Sequence, residues 1–195
     1  MTSDEILRTA LSAITTGADA VITGRGYDTV RMLADEQIPV MGHLGFVPRK
    51  STWVGGIRAV GKTSAEALEL WDRFRWFEDA GAFAVECEII AAEVMAEINC
   101  HSGLVTVSLG SGPAADVMFL FTSDICGESA RLPRHARAWG NLAALHRAVR
   151  DARLEALSSF HREVADGSYP ADAEIAGIAD AELEAFREAL EAGRD

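Results

Sequence analysis

Basic residues are scarce in this chain: 18 Lys and Arg stand against 30 Asp and Glu among 195 residues, a formal net charge of −12. A surface of that sign repels phosphate backbones and anionic headgroups, which argues against nucleic acid and membrane partners. Cysteine is scarcer still. Cys87, Cys100 and Cys126 are odd in number and form no C-x-x-C pair, so neither a disulfide framework nor a cysteine zinc site is expected. No uncharged apolar run reaches 18 residues, and "MTSDEILRTALSAITTGADAV" offers neither a basic region before an apolar run nor a small-residue cleavage site. A cytoplasmic protein is the expectation. No Pro/Ser/Gly tract, low-complexity run or internal repeat interrupts the sequence, and its length suits one sizeable domain that buries roughly 70% of its unfolded surface.

What is present alternates between helical and strand-like patterns. Ser3 is a candidate N-cap, with Asp4 and Glu5 in the first turn and Ile6, Leu7 and Leu11 at helical spacing, which predicts a helix over about 4–16. Further helices are expected over "YDTVRMLADEQ", residues 64–81 and "AAEVMAEIN", and strands over 18–23, 38–45, 82–89, 104–111 and 117–123. Short apolar strands separated by helices or loops of crossover length imply an α/β fold with a parallel sheet. The "TTG" and "DAG" endings supply the C-cap glycines of the turns into strands. Five strands fit an open sheet and also part of a (β/α)8 barrel, and the pattern alone leaves both open.

In "IPVMGHLGFVP" a histidine ends an apolar strand between two glycines. Strand alternation puts Val40 and Gly42 on one face and Met41 and His43 on the other, with His43 at the carboxyl end, where parallel α/β folds bind ligands. Gly42 and Gly45 remove side chains where a substrate would enter, although a histidine merely hydrogen-bonded in a loop is the plain alternative. In "AFAVECEI", Glu86 and Glu88 project to one side of a strand that is otherwise apolar. Buried carboxylates are costly unless they bind a metal, meet a cation or carry a proton. Glu88, nearer the carboxyl end, is the better candidate acid or base, unless the strand stops at Cys87 and Glu88 caps the next helix.

Three other features have duller readings. "GIRAVGKT" fits the phosphate-loop pattern, but "STWV" is a poor central strand to precede it. "LGSGPAAD" approximates a dinucleotide turn, with Pro113 inside it and no acidic ribose partner at the right distance; its amides retain the option of binding an anion. His135, His146 and His161 share no helical turn and read as surface residues, and Trp71, Phe74 and Phe77 read as a buried stripe.

Taken together, "GADAV", "IPVMGHLGFVP", "GGIRAVGKT", "DAGAFAVECEIIAAEV", "LGSGPAAD" and "REVADGSYP" resemble the ketopantoate hydroxymethyltransferase (3-methyl-2-oxobutanoate hydroxymethyltransferase) family of pantothenate biosynthesis, in its order and spacing from about residue 2 to 172. The resemblance implies a (β/α)8 TIM barrel of the phosphoenolpyruvate mutase and isocitrate lyase superfamily, represented here by about five strands. It implies a partial barrel domain over 1–172 and an acidic helical extension over 173–195. It also implies one-carbon (hydroxymethyl) transfer from methylenetetrahydrofolate to 3-methyl-2-oxobutanoate, assisted by Mg2+, in a homo-oligomer. His43 matches the family histidine that hydrogen-bonds the substrate, Glu88 the glutamate of acid/base work, and Gly42 and Gly45 flank them. Under the resemblance the "GGxxxxGKT" stretch is a substrate-side loop rather than a nucleotide site.

The sequence also departs from the family. The family's first three strands, which carry two aspartate metal ligands and a serine, have no counterpart, so the metal ligands stay unassigned. Where the family has "VKxEGG", this chain has "VITGRG": Ile22 and Gly24 replace the Lys and Glu, and Arg25 is a nearby charge out of register. Asp116 keeps the family aspartate, while Ser123 stands for a frequent histidine and Ala91 for a frequent proline. Two alternatives therefore accompany the transferase: a divergent or non-catalytic relative that serves as an oligomeric binding partner, and a related C–C bond lyase or mutase of 2-oxoacids.

Overall fold

Thr2 starts the first helix one residue earlier than Ser3 would: its side chain accepts from the Glu5 amide while the Glu5 carboxylate accepts from the Thr2 amide. The computed structural model describes residues 2–129 and 131–193. They divide into two units, Met1–Gly140 and Asn141–Asp195.

The first unit follows the expected alternation. Helix α1 (Ser3–Thr15) leads to β1 (Val21–Ile22), α2 (Tyr27–Asp35), β2 (Val40–Gly45), a 3-10 segment (Pro48–Val54) and α3 (Ser64–Asp79). Then come β3 (Ala84–Glu88), α4 (Ala92–Asn99), β4 (Val105–Leu109), β5 (Val117–Met118) and α5 (Thr122–Cys126). All four strand pairings are parallel and the spatial order is β1-β2-β3-β4-β5. Each strand lies beside its predecessor and the order never reverses, so crossovers of one hand put the helices on one face. That is the winding of a barrel wall; a doubly wound open sheet has a switch point.

Burial agrees with this winding. Val40 and Leu44 of β2 and Val85 and Cys87 of β3 join Val30, Leu33, Leu70, Phe74, Phe77, Met95 and Ile98 of the helices in one core. The stripe expected on α3 is present, with Phe74 and Phe77 buried and Trp71 packed on the core edge. The opposite face of the sheet carries His43, Glu86 and Glu88 at its centre, flanked by the exposed Ile22, Val105 and Val117.

The fifth strand is shorter than expected. Only Val117 and Met118 pair with β4, and the chain turns into α5 at Thr122, whose first turn carries the acidic Asp124 that the helix N-terminus favours. The two compact units part between Gly140 and Asn141, inside the 1–172 span of the family-like pattern. The family-like pattern runs on into α6 (Leu142–Asp166), but none of the residues of α6 is buried, and with α7 (Asp180–Ala192) it belongs to the second unit. No helix among the described residues is long and apolar enough to cross a membrane.

The three thiols sit in graded environments. Cys100 is exposed, Cys126 half-buried and Cys87 buried in the core, where burial pushes its thiol up to about 12. In the native protein a thiol-disulfide reagent is expected to modify Cys100 first, Cys126 more slowly, and Cys87 only on unfolding. Peptide mapping after timed labelling checks the order, and early Cys87 labelling would contradict the packing of β3.

Candidate functional site

The site lies at the carboxyl ends of β2 and β3, on the face away from the helices. Register sets it: His43 of β2 stands opposite Glu86 of β3, and Gly45 opposite Glu88. Side chains of one face on adjacent strands approach to about 5 Å. The imidazole of His43 therefore lies between two carboxylates. Its Nε2 is 2.9 Å from Glu88 Oε2, a hydrogen bond, and its Nδ1 is 3.5 Å from Glu86 Oε2. Strand β3 runs through Glu88, and the N-cap of α4 is Ala91 with no side-chain cap bond, so Glu88 does not cap the helix. Immediately afterwards Ile89 adopts a φ of 50°. A β-branched residue in the left-handed region costs on the order of 1–2 kcal/mol, and here it turns the chain off the sheet directly behind Glu88.

Both carboxylates are 8% exposed. Burial pushes the Glu86 carboxyl above the ordinary glutamate range; His43 opposes that shift and the Glu88 charge adds to it. The folded protein thus penalises ionised Glu86. The resulting stability is complete below the ordinary glutamate range and is lost as pH rises through the raised value. Glu86→Gln is expected to raise the melting temperature at neutral pH, with the gap to wild type closing toward acid pH. Thermal unfolding across that range checks it, and a variant less stable at neutral pH would show that ionised Glu86 stabilises the fold.

Gly42 and Gly45 have different work from that expected. A β-carbon on Gly42 would sit 2.4 Å from Cδ2 of Phe77, so this glycine faces the helices and admits a ring of α3. Gly45 has a φ of 88°, and a β-carbon there would lie 2.2 Å from the Glu88 carbonyl oxygen. It keeps β2 close to β3 and thereby holds His43 against Glu88. Both glycines thus have a packing role in the fold.

The other candidates fall elsewhere. The phosphate-loop match follows a 3-10 segment instead of a strand, and the Glu66 carboxylate occupies the loop, accepting from the Lys62 amide and pairing with Arg58 at 2.6 Å. In "LGSGPAAD" the one serine is committed, Ser111 Oγ donating to the Cys87 carbonyl of β3, and Ser108 Oγ, from β4 just before the turn, donates to the Gly112 carbonyl. β5 follows this turn instead of a helix. The Asp116 carboxylate accepts from the Thr106 amide and hydroxyl, and these bonds hold it below the usual carboxylate range. His135 is half-buried over Gly110 at the end of β4, where a β-carbon would lie 2.8 Å from it, so it is less exposed than its spacing implied. Arg25 lines a cavity of about 330 Å³ with Ile6, Thr9 and Ala10 of α1.

The charge near His43 comes from a residue that the sequence did not single out. Arg49, in the turn after β2, donates through Nη2 to the Gly24 carbonyl. A β-carbon on Gly24 would lie 3.7 Å from that Nη2 and 3.7 Å from His43 Nδ1. A basic residue directly after a histidine-bearing strand was the available signal.

Magnesium takes oxygen ligands in a near-octahedral shell. Here the imidazole is hydrogen-bonded to Glu88 and lies 3.5 Å from Glu86, and among the described residues no group of three or more His, Cys, Asp or Glu is arranged to hold a metal ion. The residues described do not fit the ion that the resemblance implies.

A family model for ketopantoate hydroxymethyltransferase matches residues 1–172. A 3-methyl-2-oxobutanoate hydroxymethyltransferase of Pyrobaculum islandicum is 34% identical over 171 residues, 86% of this chain and 63% of the relative. Its namesake in Pyrococcus furiosus is 35% identical over 170 residues, 86% and 58%, and that of Hyperthermus butylicus 36% identical over 186, 94% and 62%. The chain thus spans about three fifths of the length of the curated relatives it matches. Among solved structures, a phosphonopyruvate hydrolase in complex with oxalate and Mg++ overlaps 98% of this chain and 67% of its own, with a TM-score of 0.43 and 13% identity.

Proposed function

The chain belongs to the ketopantoate hydroxymethyltransferase family, and on that premise we propose that it binds a small branched 2-oxoacid, 3-methyl-2-oxobutanoate, and activates it for hydroxymethyl transfer. The observation that carries this reading is the 2.9 Å bond between His43 and Glu88 at the carboxyl end of a parallel sheet, on the face opposite the one that packs against α2, α3 and α4. Glu88 takes the C3 proton with the carboxylate oxygen not bonded to the imidazole. His43 donates from Nε2 to Glu88 and from Nδ1 to the 2-oxo oxygen, where the enolate's negative charge develops. Water hydrolyses the methylene group of methylenetetrahydrofolate, the cosubstrate that the family resemblance supplies, breaking both its C–N bonds and releasing tetrahydrofolate and formaldehyde. The enolate carbon adds to that formaldehyde, and the proton held by Glu88 passes to the new alkoxide to give the hydroxymethyl group. The 3.5 Å between Nδ1 and Glu86 leaves that nitrogen weakly engaged and available to a substrate.

A cytoplasmic location and assembly into a homo-oligomer belong to the same proposal, the second checked by sedimentation velocity. The first half-reaction needs no folate. In deuterated water the chain is expected to exchange the C3 proton of 3-methyl-2-oxobutanoate, and exchange at the rate of buffer alone would refute the transferase reading.

A further inference from the structure

Resting on the reading that a 2-oxoacid binds beside His43, we infer that Arg49 holds its carboxylate, over the gap left by Gly24. A 2-oxoacid brings a negative charge to a site that already contains two carboxylates, so a cation is required, and the described residues arrange no metal ligands to supply one. Arg25, the cation nearest in sequence to β1, turns into the cavity beneath α1. Lys50 lines a separate cavity with Arg58 and Arg73, whose charges are matched by Glu66 and Glu69 at 2.6 and 2.7 Å.

Arg49 remains. Its guanidinium is anchored by the Gly24 carbonyl and, among the described residues, faces no carboxylate partner. Arg49 Nη2, His43 Nδ1 and Val47 Cγ1 converge beside Gly24, lying 3.7, 3.7 and 3.5 Å from the position a β-carbon would take there. One wall is cationic, one a ring nitrogen and one apolar. That combination matches the carboxylate, the 2-oxo oxygen and the branched alkyl group of the proposed substrate. Guanidinium binds carboxylate through two parallel N–H donors, and because it stays charged at any working pH its hold does not depend on titration.

Isothermal titration of the intact chain with 3-methyl-2-oxobutanoate, in a chelator and then in excess magnesium, tests this. The wild type is expected to bind equally well in both. Arg49→Ala is expected to weaken binding by about 10- to 100-fold, the usual effect of removing a charge-assisted partner, and Arg49→Lys to restore part of it. Gly24→Ala, whose methyl meets only ordinary contacts, should fold normally and weaken binding by filling the gap. The ethyl ester of the oxoacid, which lacks the charge, should bind the wild type and Arg49→Ala with the same low affinity. Binding that requires magnesium, or an Arg49→Ala chain that binds like the wild type, overturns the role of Arg49 and leaves the transferase reading standing. No binding in either condition overturns both.

Discussion

Replacing Glu88 by glutamine is expected to leave 3-methyl-2-oxobutanoate bound and to slow exchange of its C3 proton by about two to four orders of magnitude. The amide keeps the shape of the carboxylate and can still hydrogen-bond His43, but it accepts no proton from carbon. Glu88 is suited to the task by its place: it is the last residue of β3, its neighbour Ile89 turns the chain away, and Nε2 of His43 lies 2.9 Å from it. Glu86, at 3.5 Å from the other ring nitrogen, is not placed to receive the same proton, and Glu86→Gln is expected to slow exchange far less. Proton NMR in deuterated water reads the result, since loss of the C3 proton collapses the methyl doublet to a singlet. An unchanged rate in Glu88→Gln would assign the base elsewhere.

The second large effect is structural. Phe77 is 5% exposed and its ring lies where a Gly42 side chain would be. Phe77→Ala is expected to cost about 3–5 kcal/mol through the cavity it leaves, and Gly42→Ala about 1–3 kcal/mol, because the new methyl forces the ring out of a filled space. The double variant should be less destabilised than the two losses combined, since the methyl then occupies part of the void. Urea unfolding measures the coupling. Strict additivity would mean that Gly42 and Phe77 do not share that space and would reopen a substrate role for the glycine.

Much of the fold could be read from the chain because its signals were local. The TTG and DAG turns, the N-terminal cap and the run of apolar strands each depend on a few neighbouring residues; the cap, the turns and the three central strands appear within a residue or two of their expected places, while β1 and β5 at the sheet edges are cut to two residues each. The strand order that distinguishes barrel winding from an open sheet depends on pairing across helices, which periodicity does not encode. The site was legible to the same extent. His43 and Glu88 fell on one face because alternation has a period of two. The register that sets Glu86 opposite His43 was not readable, nor was the reach of Arg49 to a carbonyl 25 residues away in sequence. The packing roles of Gly42 and Gly45 were hidden for the same reason: a missing side chain looks identical in sequence whether it admits a substrate, a phenyl ring or a neighbouring strand.

The most direct test uses the five histidines as reporters. In a chain labelled with 15N-histidine, titration with 3-methyl-2-oxobutanoate is expected to move the ring resonances of His43 and to leave those of His101, His135, His146 and His161 in place, with His43→Gln supplying the assignment. Movement of His43 alone would locate the oxoacid at the carboxyl end of β2, between Glu88 and Arg49. An unmoved His43 under saturating oxoacid would contradict the site.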